Sequence, residues 1–144
     1  MKMMAFSCRQ DEREFFEQFG KQYGVEVETT REAPSMENAD LLKGCGAACV
    51  LTTPVDADLI DRWHEYGVKL ISTRTVGFEH VDYRHAAKLG IVVSNATYTP
   101  DTVAEYTIMT ILMAIRKMKI ILQRYIGQNF SLRHVRGREL GPMT

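Results

Sequence analysis

The chain has 144 residues, of which 45% are hydrophobic and 25% charged, and its 18 basic residues balance 18 acidic ones. This length suits one ordinary domain with a real core, and the balanced charge argues against the basic surface that a nucleic-acid partner requires. The longest apolar run, at residues 108–115, is far shorter than the roughly 20 residues of a membrane helix, so we expect a cytoplasmic protein without a membrane partner.

Strand-like and helix-like segments alternate along residues 1–98. Strand patterns occur at 2–8, 25–30, 47–53, 69–74 and 91–96, and helical patterns at 11–24, 35–44, 56–67 and 81–90. This alternation predicts an α/β fold in which a five-stranded parallel sheet carries helices on both faces. Ligands of such folds bind at the carboxyl ends of the strands, so the turns that follow the strands are the candidate sites.

Residues 99–128 are predicted to form one long helix. Thr99 suits the N-cap, Pro100 suits the first helical position, and Glu105 complements the positive end of the helix. Apolar side chains lie nearly all round this segment, which predicts that another domain or a second subunit buries it. The polar residues 129–144 are expected to form a solvated connector.

The cysteines are Cys8, Cys45 and Cys49. Their odd number, and an N-terminal apolar run that charged residues interrupt too early for a signal peptide, predict reduced thiols. None of the histidines is spaced from Cys45 and Cys49 as a metal ligand would be, so no metal site is predicted.

The turn Thr75-Val76-Gly77 is the strongest candidate for a ligand site. It follows an apolar strand and precedes a helix, and Gly77 lets backbone N–H groups approach an anion such as a carboxylate. Tyr98 follows the last predicted strand at the same edge of the sheet, where its hydroxyl could contact a ligand. An ordinary strand-to-helix turn and a tyrosine packed on a loop are the alternatives.

The remaining motifs and residues do not by themselves predict a reaction. The sequence has no G-x-G-x-x-G, no Walker loop and no G-x-S-x-G, and Gly44-Cys45-Gly46 precedes a strand and is interpreted as a turn. Arg74 is expected either beside the anion or on the surface. His80 and His85 are expected on a helix surface rather than as general bases, because nothing near them in the sequence orients them.

The second half of the chain resembles a known family. Its shared elements are STR at 72–74, Gly77, Asp82, KLGI at 88–91 and YTPDTVAE at 98–105, followed by the long apolar segment. This order resembles the D-isomer-specific 2-hydroxyacid dehydrogenases, above all the D-lactate dehydrogenases, including the vancomycin-resistance type. The resemblance covers about residues 47–144, and it marks the chain as similar to the N-terminal part of such an enzyme.

The resemblance implies a fold and an activity. It implies a flavodoxin-like, doubly wound substrate domain at 1–98, an interdomain and dimerisation helix at 99–128, and a connector at 129–144 toward an absent NAD-binding Rossmann domain. The implied reaction is hydride transfer between NAD and a 2-keto acid, carried out by a homodimer that assembles through the 99–128 helix.

The resemblance also implies roles for particular residues. Val76 and Gly77 would supply N–H groups to the substrate carboxylate, and Tyr98 would line the substrate pocket. The residues implied to face the cofactor are Thr102, Val103 and Glu105. No catalytic residue is implied in this chain, because the arginine, glutamate and histidine of the family lie beyond the connector.

The resemblance bears on the activity and the substrate of this chain. The isolated chain is expected to be inactive and to bind NAD weakly. Val55 stands near the position where some D-lactate dehydrogenases have a pocket tyrosine, which leaves the identity of the 2-hydroxy acid open. The alternative is a stand-alone flavodoxin-like module for ligand binding or dimerisation, similar to corepressors that share the fold.

Overall fold

A computed structural model describes residues 1–141 of the chain. The strands are β1 (Lys2–Ala5), β2 (Glu26–Thr29), β3 (Ala47–Val50), β4 (Leu70–Thr73) and β5 (Val92–Ser94). The helices are α1 (Arg13–Tyr23), α2 (Ala57–Glu65), α3 (Tyr83–Lys88), α4 (Asp101–Ile115) and α5 (Met118–Ile126), with a 3-10 helix at Met36–Leu42. The chain divides into two compact units, the first spanning Met1–Tyr98 and the second beginning at Thr99.

The first unit contains a five-stranded sheet in the order β2-β1-β3-β4-β5. Every pair of neighbouring strands is parallel. This is the flavodoxin-like order, so the predicted α/β fold is confirmed. Because all strands run the same way, their carboxyl ends meet at one edge of the sheet.

Alternate side chains of the strands point to the same face of the sheet, and those on one face form the core. Met4 and Phe6 of the first strand segment, with Ala48 and Val50 of β3, belong to one buried cluster. The α2 helix adds Trp63, whose ring stacks on that of Phe6 with centroids 5.9 Å apart. Other members of the cluster are Leu42, Leu59, Ile60, Val68, Ile71, Val81, Ala86 and Ile91.

Aspartates fix the starts of two helices in the first unit. The Asp56 carboxylate accepts a hydrogen bond of 3.0 Å from the Leu59 N–H at the start of α2. The Asp82 carboxylate accepts one of 2.9 Å from the His85 N–H at the start of α3. Each bond satisfies a backbone donor that the first helical turn leaves without an intrahelical partner.

The second unit corrects one expectation from the sequence. The single helix expected at 99–128 is wrong, because α4 ends at Ile115 and α5 starts at Met118. Lys117 lies between them with φ 54°, in the left-handed region. The Arg138 N–H donates to the Ile115 carbonyl at 3.0 Å and so satisfies one of the last carbonyls of α4. Within residues 1–141 no helix is long and apolar enough to cross a membrane.

Candidate functional site

The turn Thr75-Val76-Gly77 lies at the carboxyl edge of the sheet, directly beyond β4 and Arg74. The chain that continues from β5 lies beside it. The Ala96 N–H donates to the Thr75 carbonyl at 3.0 Å, and the Asn95 side-chain amide donates to the Val76 carbonyl at 2.7 Å. The turn is therefore held in place by a second segment at the same edge.

Every carbonyl of the turn has a hydrogen-bond donor. Beyond the two bonds from residues 95 and 96, the Thr73 hydroxyl donates to the Thr75 carbonyl at 3.1 Å. The Thr75 hydroxyl donates to the Gly77 carbonyl at 2.7 Å. In contrast, the N–H groups of Thr75, Val76 and Gly77 have no acceptor among residues 1–141. N–H groups without an acceptor in the chain are available to bind water or an anion.

A carboxylate of the chain itself already lies at this turn. Glu79 Oε2 accepts a hydrogen bond of 3.0 Å from the Phe78 N–H. A Cβ atom added to Gly77 would lie 3.0 Å from the same oxygen. Gly77 is not among the glycines with positive φ, which are residues 24, 44, 67 and 90. Its glycine identity therefore keeps space beside the turn open rather than permitting a left-handed backbone.

Arg74 occupies neither of the two places expected for it. Its side chain is only 16% exposed and its Nε lies 3.4 Å from Glu12 Oε1. Its Nη2 atom donates to the carbonyls of Phe6 and Ser7 at 2.9 and 3.1 Å. Its Nη1 atom donates to the Cys49 sulfur at 3.4 Å. The guanidinium thus joins the ends of β4 and β1, and its contacts are with Glu12, Cys49 and backbone carbonyls rather than with the turn.

The remaining predicted binding residues lie in separate parts of the chain. Tyr98 is 60% exposed and ends the first unit, two residues beyond the Ala96 contact with the turn. Thr102, Val103 and Glu105 belong to the second unit, where all three are exposed on the first two turns of α4.

His80 and His85 differ from the expectation of two helix-surface residues, because His80 lies in the turn before α3 and His85 has a side-chain partner from another helix. His85 Nε2 lies 2.7 Å from Asp61 Oδ1 of α2, so a residue distant in the sequence does orient this ring. His80 is half-buried, and its Nε2 atom is buried without a hydrogen-bond partner among residues 1–141.

The three cysteines are free and buried. Burial raises the pKa of the Cys49 thiol, although Arg74 opposes that shift. Burial likewise raises the pKa of the Cys8 and Cys45 thiols. Because the thiolate is the reactive form, burial disfavours reaction of these thiols. Residues 1–141 also hold no group of three or more His, Cys, Asp or Glu side chains suited to a metal ion.

Asn95 and Thr73 are residues of the site that the sequence did not single out. Asparagine and threonine side chains often hydrogen-bond to nearby backbone groups in turns. Two threonines around a strand end, and an asparagine after the next strand, were the available signal. The segments that follow β4 and β5 lie side by side because these two strands pair in parallel, and the sequence alone does not show this pairing.

Gly44 and Gly46 differ in position from the glycine-rich turn that binds a dinucleotide phosphate in many α/β folds. A dinucleotide phosphate needs a glycine-rich turn between a strand's carboxyl end and a helix. The only close glycine pair, Gly44 and Gly46, precedes β3 and so lies toward the amino end of that strand. Gly44 and Gly46 therefore do not form a turn of that kind.

Comparison with known proteins identifies the family. The model of the D-isomer specific 2-hydroxyacid dehydrogenase catalytic domain matches residues 3–127. The chain belongs to this family, and the resemblance inferred from its motifs is confirmed.

Individual relatives agree with this assignment. The D-specific alpha-keto acid dehydrogenase of Enterococcus faecalis is 37% identical over 147 positions, which cover 100% of this chain and 45% of the relative. The apo structure of D-lactate dehydrogenase from Escherichia coli has a TM-score of 0.83 at 28% identity, covering 96% of this chain and 44% of that one. An NAD-complexed D-isomer specific 2-hydroxyacid dehydrogenase from Lactobacillus delbrueckii ssp. bulgaricus has a TM-score of 0.68 at 26% identity, with coverages of 96% and 44%. The chain spans less than half the length of each.

Proposed function

We propose that the chain is the substrate-binding portion of an NAD-dependent D-2-hydroxyacid dehydrogenase of the D-lactate dehydrogenase kind. In the whole enzyme, NAD would exchange a hydride with a 2-keto or 2-hydroxy acid. The chain would contribute the cradle for the substrate carboxylate and no group that reacts with the substrate. The cofactor domain and the arginine, glutamate and histidine of the family would belong to parts of the whole enzyme that this chain does not cover.

The observation that carries this proposal is the difference between the carbonyl groups and the N–H groups of the turn at residues 75–77. Its carbonyls are bound by Asn95, Ala96, Thr73 and Thr75, while the N–H groups of Val76 and Gly77 have no acceptor among the described residues. A 2-keto acid presents a planar carboxylate with several acceptor lone pairs, which matches adjacent N–H donors. Tyr98 is proposed to line the same pocket with its hydroxyl.

Thr102, Val103 and Glu105 of α4 are proposed to face the cofactor. Val55 is not proposed as a specificity residue. It is 1% exposed, and its N–H donates to the His80 carbonyl at 2.8 Å. It therefore belongs to the core, and substrate selection must come from other positions.

The proposed setting of the enzyme is a cytoplasmic homodimer. The three free, buried cysteines suit a reducing compartment. The exposed apolar side chains of α4 suit an interface with a second subunit.

Titration of the 15N-labelled chain with pyruvate tests the proposed cradle. We expect the amide signals of Val76 and Gly77 to shift, since their N–H groups would bind the carboxylate. Methyl pyruvate, which lacks the carboxylate, is the matched ligand and should leave both signals in place. Unchanged Val76 and Gly77 signals at saturating pyruvate would contradict the proposal. The same chain should not oxidise NADH with pyruvate, and measurable turnover would show that it carries catalytic groups.

A pair of glycine variants sharpens this test. Gly77→Ala keeps the backbone N–H and requires no left-handed backbone, but it adds a methyl group beside the turn. This group should obstruct the approach of the carboxylate to the N–H donors and weaken pyruvate binding by roughly tenfold. Gly46→Ala is the control, because its added Cβ would meet Met1 at an ordinary contact distance of 3.5 Å, at the start of β3. Equal binding by the two variants would place the carboxylate elsewhere.

A further inference from the structure

We infer that Asn95 is a positioning residue that fixes the direction of the Gly77 N–H. This inference rests on the proposed function, because it concerns the same carboxylate cradle. The Asn95 Nδ2 atom donates to the Val76 carbonyl at 2.7 Å, which is a short, well-formed bond between two segments of the sheet edge.

Because of the geometry of the peptide unit, the bond to the Val76 carbonyl also fixes the direction of the Gly77 N–H. The Val76 carbonyl and the Gly77 N–H belong to one planar trans peptide, so they point in opposite directions. A donor that holds the carbonyl on one side therefore directs the N–H to the other side. Asn95 lies on the side of β5, and the Gly77 N–H is accordingly directed away from β5.

The neighbouring bonds leave this peptide dependent on Asn95. The Thr75 carbonyl has two donors, from Ala96 and Thr73, and the Gly77 carbonyl has the Thr75 hydroxyl. Asn95 is the single donor found for the Val76 carbonyl within residues 1–141. Glycine at the next position restrains the peptide weakly, since it has no Cβ. Without the amide, this peptide unit would be free to rotate.

The residue type fits this role. An asparagine amide carries two donors on a short side chain, whereas an aspartate at the same position would offer only acceptors to a carbonyl oxygen. An aspartate would also place a negative charge beside a cradle for a carboxylate. The asparagine thus supplies orientation without electrostatic repulsion of the ligand.

The first measurement uses the ligand-free chain. Residual dipolar couplings report the direction of the Gly77 N–H, and Asn95→Ala should change or average that coupling. Couplings within β4 and β5 should stay the same, which distinguishes lost orientation from unfolding. Asn129→Ala, in the second unit, is the matched control and should leave the Gly77 coupling unchanged. An unchanged Gly77 coupling in Asn95→Ala would overturn the inference, whatever the chain binds.

The second measurement adds pyruvate as the probe. Asn95→Ala should bind it about fivefold more weakly, the effect expected for one neutral hydrogen bond, and Asn95→Asp should bind it more weakly still. Equal affinity of wild type and Asn95→Ala would also overturn the inference. Absence of pyruvate binding at Val76 and Gly77 in the wild type would contradict the proposed function instead, while the ligand-free couplings would still decide the role of Asn95.

Discussion

Glu79 is the residue whose charge bears most directly on the proposed cradle. Its carboxylate accepts the Phe78 N–H at 3.0 Å and lies against Gly77. A substrate carboxylate at the same turn would be repelled by this group or would have to displace it. The turn thus attracts a carboxylate oxygen of the chain itself, and Glu79 is an internal competitor of the ligand.

Glu79→Gln is therefore expected to strengthen pyruvate binding. At about 4 Å in water the repulsion between two unit charges is roughly 1 kcal/mol, so the gain should be about fivefold at low salt. Because Glu79 is exposed, added salt should shrink the gain. Chemical-shift titrations at two ionic strengths measure both effects, and Glu37→Gln, an exposed glutamate of the 3-10 helix, is the control. Weaker binding by Glu79→Gln would show that the carboxylate supports the site.

The location of the turn could be predicted from the sequence, whereas the roles of Arg74 and Asn95 could not. The turn could be located from its place after an apolar strand, and that position is correct. The role of Arg74 could not be found, because its Nη2 atom binds the carbonyl of Phe6, 68 residues earlier in the chain. The role of Asn95 could not be predicted for the same physical reason. Its partner, Val76, is 19 residues away and becomes adjacent only when β4 pairs with β5.

At the scale of elements, a polar cluster joins the 3-10 helix to α2. The Tyr66 hydroxyl donates to the Asp40 carboxylate. Lys43 Nζ lies 2.7 Å from the other oxygen of that carboxylate. These two bonds, with Lys43 first, hold the pKa of the Asp40 carboxyl below its usual value of 3.8. A carboxyl whose pKa is lowered in the folded state stabilises that state only while it is ionised.

Asp40→Asn should accordingly lower the urea midpoint of unfolding at pH 7, by a small amount because the group is exposed. The stabilisation is fully present above the unfolded pKa of 3.8 and is lost as the pH falls through the lower pKa of the folded state. The difference between variant and wild type should therefore shrink as the pH falls below the usual carboxyl pKa of 3.8. Urea titrations from pH 7 to pH 2.5 measure it, with Asp11→Asn as the control. A difference that stays constant with pH would contradict the electrostatic account.

Elements were predictable where local signals agreed. The alternation of apolar residues located all five strands, and their parallel pairing follows from the helices between them. The break between α4 and α5 carried no such signal, because the apolar pattern continues across Arg116 and Lys117. A left-handed lysine costs roughly 1–2 kcal/mol. The Arg138 bond to the Ile115 carbonyl stabilises the break from outside the predicted helix.

At the scale of the whole molecule, the second unit presents apolar side chains to solvent. On α4, Ile108 is 56% exposed, Met109 46% and Leu112 40%. Burying a side chain of this size contributes about 1.5–3 kcal/mol, so a contiguous set on one helix favours association. The sequence predicted that another surface covers this helix, and a second copy of the chain is the proposed partner.

The expected behaviour is a concentration-dependent dimer. Sedimentation equilibrium should give a mass that rises toward twice that of the chain, and Leu112→Glu should keep the protein monomeric, because a carboxylate buried in an apolar interface loses its hydration. Gln22→Glu, at an exposed position on α1, adds the same charge outside the proposed interface and should still dimerise. A wild type that stays monomeric at high concentration would contradict the proposed dimer. Association to undefined masses that Leu112→Glu does not prevent would contradict it equally, since that pattern indicates aggregation of exposed apolar surface rather than a specific interface.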